Sequence, residues 1–176
     1  MKNTFLLCLF LIGWLLSACD VDDGGFGFGP DEQAETAYLP VLMERSQLEQ
    51  SITTEAPRDI IDAAKIYIQG RYIYITERYK GLHIVDNTDP RNPRNLAFVK
   101  VPGCIDVAAK GSNLYVDNAT DLVTLDASDL TQIVEVARTR NIFPDALPPD
   151  LNFIPAKYQE GNRPDNTIII QWTLPE

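Results

Sequence analysis

The chain has one histidine and three cysteines in 176 residues, and no cluster of Lys or Arg free of acidic neighbours. Each scarcity removes a class of function. Metal centres draw on several donors at set spacing, and His83 alone does not supply them. No C-x-x-C, H-E-x-x-H or EF-hand loop occurs, so no metal and no cofactor are expected. Cys8 and Cys19 fall within the first nineteen residues, which leaves Cys104 as the one thiol of the chain's body. A lone thiol closes no internal disulfide, so the domain is not disulfide-stapled. Its setting, PGCIDVAA, is apolar and suits a buried small side chain better than an activated thiolate. Lys+Arg number 15 against 25 Asp+Glu, a net charge of −10. Such a chain repels phosphate backbones and anionic head groups, so no nucleic acid is expected as partner. No G-x-S-x-G occurs, and the Gly tract before Pro30 lacks the Lys-Ser/Thr of a phosphate loop. With no reactive constellation present, the chain is not read as an enzyme.

A hydrophobic run long enough to span a bilayer is also missing. The N-terminus reads MKNTFLLCLFLIGWLLSAC, with Lys2 ahead of an apolar stretch from Phe5 to Leu16. A spanning helix needs about 20 apolar residues, and this stretch meets Asp20, Asp22 and Asp23 just past Cys19. The anatomy is that of a secretory signal. Its end, Leu16-Ser17-Ala18-Cys19, resembles a bacterial lipobox. The resemblance implies cleavage after residue 18 and lipidation of Cys19, the first mature residue, with palmitate-type acyl chains. Two acyl signals hold a protein to a bilayer stably where one does so only marginally. The expected partner of Cys19 is therefore a membrane. The expected location is outer-membrane-anchored, facing the periplasm or the cell surface. Residues 19–36, DVDDGGFGFGPDEQAE and its flanks, form an acidic Gly-rich tether.

Past the tether the chain has the rhythm of strands. Met43 to Ser51 is the one helical stretch, being rich in good helix formers. Beyond it, β-branched and aromatic runs are bounded by Gly, Pro, Asn and Asp. Residues 66–86, IYIQGRYIYITERYKGLHIVD, are answered by 105–126, IDVAAKGSNLYVDNATDLVTLD. Gly70 matches Gly111, Tyr74 matches Tyr115, and Leu82, Val85 and Asp86 match Leu122, Leu125 and Asp126. A period near 40 residues with about four strands is the length of a propeller blade. Leu96 to Val101 and Gln132 to Ala137 would be the fourth strands.

The segment GLHIVDNTDPRNPRNLAFVKVPG, with Pro90 and Pro93 after the Asp-ended strand, resembles the LVIVD repeat of exported bacterial propeller-like proteins. The second unit, DLVTLDASDLTQIVEV, keeps Leu122, Leu125 and Asp126 but has Leu130 and Gln132 in place of prolines. The resemblance implies an all-β fold defined by scaffold residues, with no catalytic set. The expected architecture is a propeller-like repeat domain over residues 37–176. It comprises about two four-stranded blades (units about 65–103 and 104–140), a short N-terminal helix and a C-terminal strand.

Propellers close with at least four blades, so two leave surface to be covered. Thr167 to Thr173 has three consecutive isoleucines, which suits burial on both faces. It is expected to pair with blade residues far upstream. Self-association across an open edge is the alternative.

The individual residues read mostly as scaffold. Asp86 and Asp126 hold the same register in both units, where a carboxylate caps a turn. His83 is matched by Val123, so the repeat does not need it. Asp117-Asn118-Ala119-Thr120-Asp121 is an oxygen-rich calcium loop or a polar hairpin turn, and the repeat alignment favours the turn. A hydrolytic pair, Glu77 with Asp117 or Asp121, is the enzymatic alternative. Tyr72 and Tyr74 share one strand face, and with Arg78 and Tyr79 they form a candidate recognition surface for protein or glycan. The rival is burial between blades. The overall expectation is a membrane-anchored, non-catalytic binding or scaffold module.

Overall fold

The computed structural model describes residues 35–176. These build a nearly all-β domain of three antiparallel sheets. The first repeat supplies β3 (Ala63–Gln69), β4 (Tyr72–Glu77), β5 (Gly81–Asp86) and β6 (Arg94–Lys100). A short β2 (Thr53–Glu55) adds a fifth strand beside β6. The second repeat supplies β7 (Val107–Lys110), β8 (Asn113–Asn118), β9 (Asp121–Asp126) and β10 (Val134–Thr139). The third sheet has two strands, β1 (Leu39–Glu44) and β11 (Thr167–Thr173). This is the expected all-β, propeller-like repeat architecture.

The turns explain the strand boundaries. Gly70 and Gly111 hold φ of 58° and 64° at the first hairpin of each repeat, a conformation that glycine adopts without strain. At the end of the third strand, Asp86 and Asp126 fold back onto the chain. Asp86 Oδ1 accepts from the Thr88 amide at 2.9 Å and from its hydroxyl, and Asp86 Oδ2 meets Arg94 at 2.9 Å. Asp126 Oδ1 accepts from the Ser128 amide at 2.9 Å. The scaffold role expected of both residues is what the geometry displays.

Thr88 and Arg94 hold the Asp86 carboxyl at about 2. A depressed pKa contributes stability above the unfolded value that is lost as pH falls through the folded one. Asp86→Ala should therefore melt below the parent at neutral pH. The gap should close as pH falls from about 4 toward 2. Thermal melts across that range check it.

The two repeats stack face to face. Strand alternation puts Tyr67, Tyr74 and Ile84 on one side of the first sheet, in register. That side packs on Val107, Ala109, Leu114, Val116, Val123 and Leu125 of the second, all buried in one cluster. Apolar sheet faces that interdigitate in this way supply most of a small domain's stability. Tyr67 adds a hydroxyl bond to the Ala109 carbonyl at 3.2 Å. Thr54 of β2 bonds both the amide and the carbonyl of Ile133, tying the repeats at their outer edge.

Three expectations change. The helix is a single turn, α1 (Arg45–Leu48), and not Met43 to Ser51. Met43 and Glu44 are drawn into β1 by pairing with Ile168 and Thr167. Tertiary pairing outweighs the modest helix preference of nine residues. The fourth strands begin at Arg94 and Val134, each two residues from the expected start. The C-terminal strand does not pair with a blade. It pairs with β1, from Leu39↔Thr173 to Glu44↔Thr167, so both ends of the described chain share one small sheet.

Candidate functional site

A concave region runs along the seam between the second repeat and the C-terminal tail. Blade packing buries one face of the second sheet. Its other face carries Ala108 opposite Tyr115, and Asp117 opposite Leu122. The tail crosses this face as Phe143-Pro144-Asp145-Ala146-Leu147 and returns as β11. Trp172 pins it, its indole Nε1 donating to the Ala146 carbonyl at 2.7 Å, with Tyr158 edge-on at 5.5 Å. A tail built from prolines and short apolar residues bridges the sheet without filling it. The small side chain at Ala108 leaves further room. The result is a cleft of about 820 Å³, lined mainly by apolar side chains including Tyr115, Leu122, Leu147 and Ile170. That size and lining are typical of small-ligand sites.

Asp117 closes one end. Its carboxylate accepts from the Ile105 amide at 3.0 Å and from the Asp106 amide at 2.7 Å. Burial raises its pKa above the ordinary carboxylate value, although those amides pull the other way. Burial likewise pushes the neighbouring Cys104 thiol well up, with Asp117 adding to the effect. Cys104 is thus a packed side chain, as its apolar setting implied.

A second, polar compartment of about 780 Å³ adjoins the cleft, and Phe143 and Asp145 line both. Arg45, Thr120 and Asn141 line it, and they belong to an ion cluster around Asp121, which is fully buried. Arg45 Nη1 donates to both carboxylate oxygens at 2.8 and 2.7 Å, Arg138 Nη1 donates at 2.8 Å, and the Asn141 amide at 3.1 Å. Burial pushes this carboxyl's pKa up, but the two guanidiniums outweigh it and hold it below the ordinary value. Across the hollow, Arg163 Nη1 lies 2.8 Å from Asp145 Oδ2, with the Arg163 side chain 5% exposed. Among the described residues, Arg163 Nε and Nη1 and Asp145 Oδ1 are buried and have no hydrogen-bond partner. Buried donors and a buried acceptor are thus left unused on one ion pair, in a hollow that Phe143, 39% exposed, also lines.

The turn Asn118-Ala119-Thr120-Asp121 is a two-residue hairpin with Ala119 at φ 55°. Its oxygens face amide and guanidinium donors, as a turn requires and a calcium cage does not.

The tyrosine surface does not assemble. Tyr74 is 4% exposed and belongs to the inter-repeat core, with Tyr72 packed against the same cluster. Tyr79 sits at a tight turn with φ 62°, its amide on the Cys104 carbonyl at 2.7 Å. Arg78 is exposed and pairs with Asp62 at 3.6 Å. The strand's tyrosine face points inward, because it is the face the second repeat covers.

His83 is fully buried, its Nε2 2.9 Å from Glu77 Oε2 and its ring 4.8 Å from Phe98. Glu77 also meets Arg58 at 3.0 Å and Lys80 at 3.1 Å. The carboxylates considered as a hydrolytic pair are therefore held by separate partner sets: Glu77 by His83, Arg58 and Lys80, Asp121 by two arginines, Asp117 by two amides. Cys19, with residues 1–18 and most of the tether, lies outside the described residues. The tether's last residues are held: the Thr36 hydroxyl and the Ala37 amide both donate to Asp150, at 2.6 and 2.8 Å, and Glu35 pairs with Lys157.

The family model of the LVIVD repeat matches residues 62–98 and 104–140. These are two adjacent LVIVD repeats. No curated protein and no solved structure matches the chain. Of the repeated positions, Leu82 and Leu125 lie in the inter-repeat core and Asp86 and Asp126 hold turns, while Val85 sits on the first repeat's other face and Leu122 lines the cleft. The seam residues Phe143, Asp145 and Arg163 lie beyond the second repeat, in a Pro- and Asn-rich stretch without periodicity. No pattern in the sequence singles it out.

Proposed function

We propose that this chain is an exported lipoprotein, anchored through acyl chains on Cys19, whose two LVIVD repeats are a non-catalytic scaffold for binding a glycan in the seam. The N-terminal sequence supports the anchor and the outer-membrane location, facing the periplasm or cell surface. One observation carries the ligand class. Arg163 Nε and Asp145 Oδ1 are an unused donor and an unused acceptor in a hollow that the exposed Phe143 also lines. A sugar hydroxyl donates and accepts at once, and the C–H face of a pyranose suits an aromatic ring. A buried polar group costs about 1–3 kcal/mol when unpaired, so a ligand toward which Arg163 and Asp145 turn to satisfy both atoms gains on binding. The apolar cleft alongside would take a substituent such as an acetyl or a deoxy-sugar methyl.

Titration of the full chain in detergent with a panel of neutral and N-acetylated oligosaccharides tests the ligand, read through Trp172 fluorescence. Saturable binding is expected, weakened at least tenfold by Phe143→Ala. Absence of binding across the panel, or a Phe143→Ala protein that binds equally, contradicts the reading. For the anchor, Cys19→Ser should leave an unprocessed or soluble precursor, because no thioether can form. Cell fractionation checks it, and a variant still processed and membrane-bound argues against lipidation.

A further inference from the structure

We propose that the first repeat's open sheet face is a docking surface for a second copy of this chain, paired face to face about a two-fold axis.

The argument rests on register. In the second repeat, Val107, Val116 and Val123 lie in one cross-strand row, and Ala109, Leu114 and Leu125 in the next. All six are buried against the first repeat. Forty or forty-one residues earlier, the same rows of the first repeat read Ile66, Ile75 and His83, then Ile68, Ile73 and Val85. Five of these six side chains are again apolar and β-branched, His83 being the exception. Yet Ile66 is 60% exposed and Ile68 64%. Among the described residues, no second sheet packs on this face, which the repeat elsewhere uses for docking.

His83 and Val85 on β5 are buried and Ile73 and Ile75 on β4 half-buried, so the open part of this face is its β3 edge. Arg58, from the segment after β2, stacks on Phe98 at 3.6 Å and covers it together with His83. The same segment contributes Ile60, 40% exposed and sharing a shallow hollow with Asn95, and Ile61, 80% exposed. Ile66 and Ile68, paired with the half-buried Ile75 and Ile73, form an apolar patch across β3 and β4 instead of standing as scattered singletons, and a contiguous patch of this kind marks an interaction surface.

The occupant follows from what is already covered. Continuing the stack in one direction would place the second repeat's back face on these isoleucines. That back face is taken by the tail and by β11, so head-to-tail addition is blocked. The same isoleucine face of another copy is a matching apolar sheet face, and a self-complementary contact closes at two. Its rim carries both signs, with Arg58 and Asp59 on one segment and the Arg78–Asp62 pair beside it. Two copies can therefore meet without bringing like charges together, although each chain carries a net −10. This inference stands apart from the ligand proposed for the seam.

The test uses the full chain in membranes. Ile68→Cys and, as control, Val136→Cys (native Val136 being 55% exposed, on β10) are each treated with a short bismaleimide, beside the parent chain. Ile68→Cys should give a product of twice the mass in at least tenfold greater yield than the control, and the parent should give none. Adding Ile66→Lys should abolish that product while leaving the circular dichroism spectrum unchanged. The proposal is overturned by no product, by equal yields at the two positions, by a product that survives Ile66→Lys, or by one whose mass shows a different partner.

Discussion

A chain lacking residues 165–176 is expected to aggregate or to lose its cooperative melt. The strand β11 holds Ile168, Ile169 and Trp172 at 9, 1 and 6% exposure. Fully burying a large apolar side chain is worth about 1.5–3 kcal/mol. Losing three of them removes a large part of the roughly 5–15 kcal/mol by which a domain is stable. The deletion also strips β1 of its only strand partner among the described residues and frees an edge that other chains can pair with. The bond from the Arg45 amide to the Asn166 carbonyl, 2.8 Å long, goes with it. Size-exclusion chromatography and thermal melts decide the matter. A monomer that melts cooperatively near the parental temperature would show that the terminal sheet is dispensable.

Asp121→Ala should be the most damaging single substitution. The carboxylate joins α1 through Arg45, the fourth strand of the second repeat through Arg138, and the tail through the Asn141 amide. Removing it leaves two guanidiniums facing each other in a partly buried site. Breaking a buried ion pair from one side typically costs about 3–5 kcal/mol. Arg138 keeps Glu135, at 2.7 Å, as a second partner, so the cost should fall more on Arg45 and the α1 end. Urea unfolding reads the effect, and a loss below about 1 kcal/mol would place Asp121 with ordinary surface pairs. The acid dependence follows from the lowered pKa. The cluster's contribution is present above the ordinary carboxylate value, about 4, and declines as pH falls below it. The parent should lose stability in acid faster than Asp121→Ala.

The repeats were legible in the sequence because each strand is local and its signals recur. Gly70 and Gly111 mark the same turn, Asp86 and Asp126 the same strand end. The orientation of each face was not. In Tyr72-Ile73-Tyr74-Ile75 both faces are apolar, so alternation separates them without saying which meets a neighbour. Only the stacked partner decides that the tyrosines go inward. The pairing of β1 with β11 was out of reach for a related reason. Both segments read as apolar strands, but register between chain ends leaves no local trace. Most of the seam was hidden too, since Asp145 and Arg163 sit in irregular backbone, where function depends on placement and not on pattern.

The terminal sheet also dictates an order of events. Leu39 pairs with Thr173, so on the export route proposed for this chain β1 must wait until β11 has emerged before it has a partner. Each repeat can zip up hairpin by hairpin in the meantime. Closing a loop of that length comes late, because its entropy must be overcome before any of its contacts form. During transit the chain therefore displays an unpaired apolar strand at its leading end for longer than any other element. That interval is when a chaperone in the receiving compartment has most to protect.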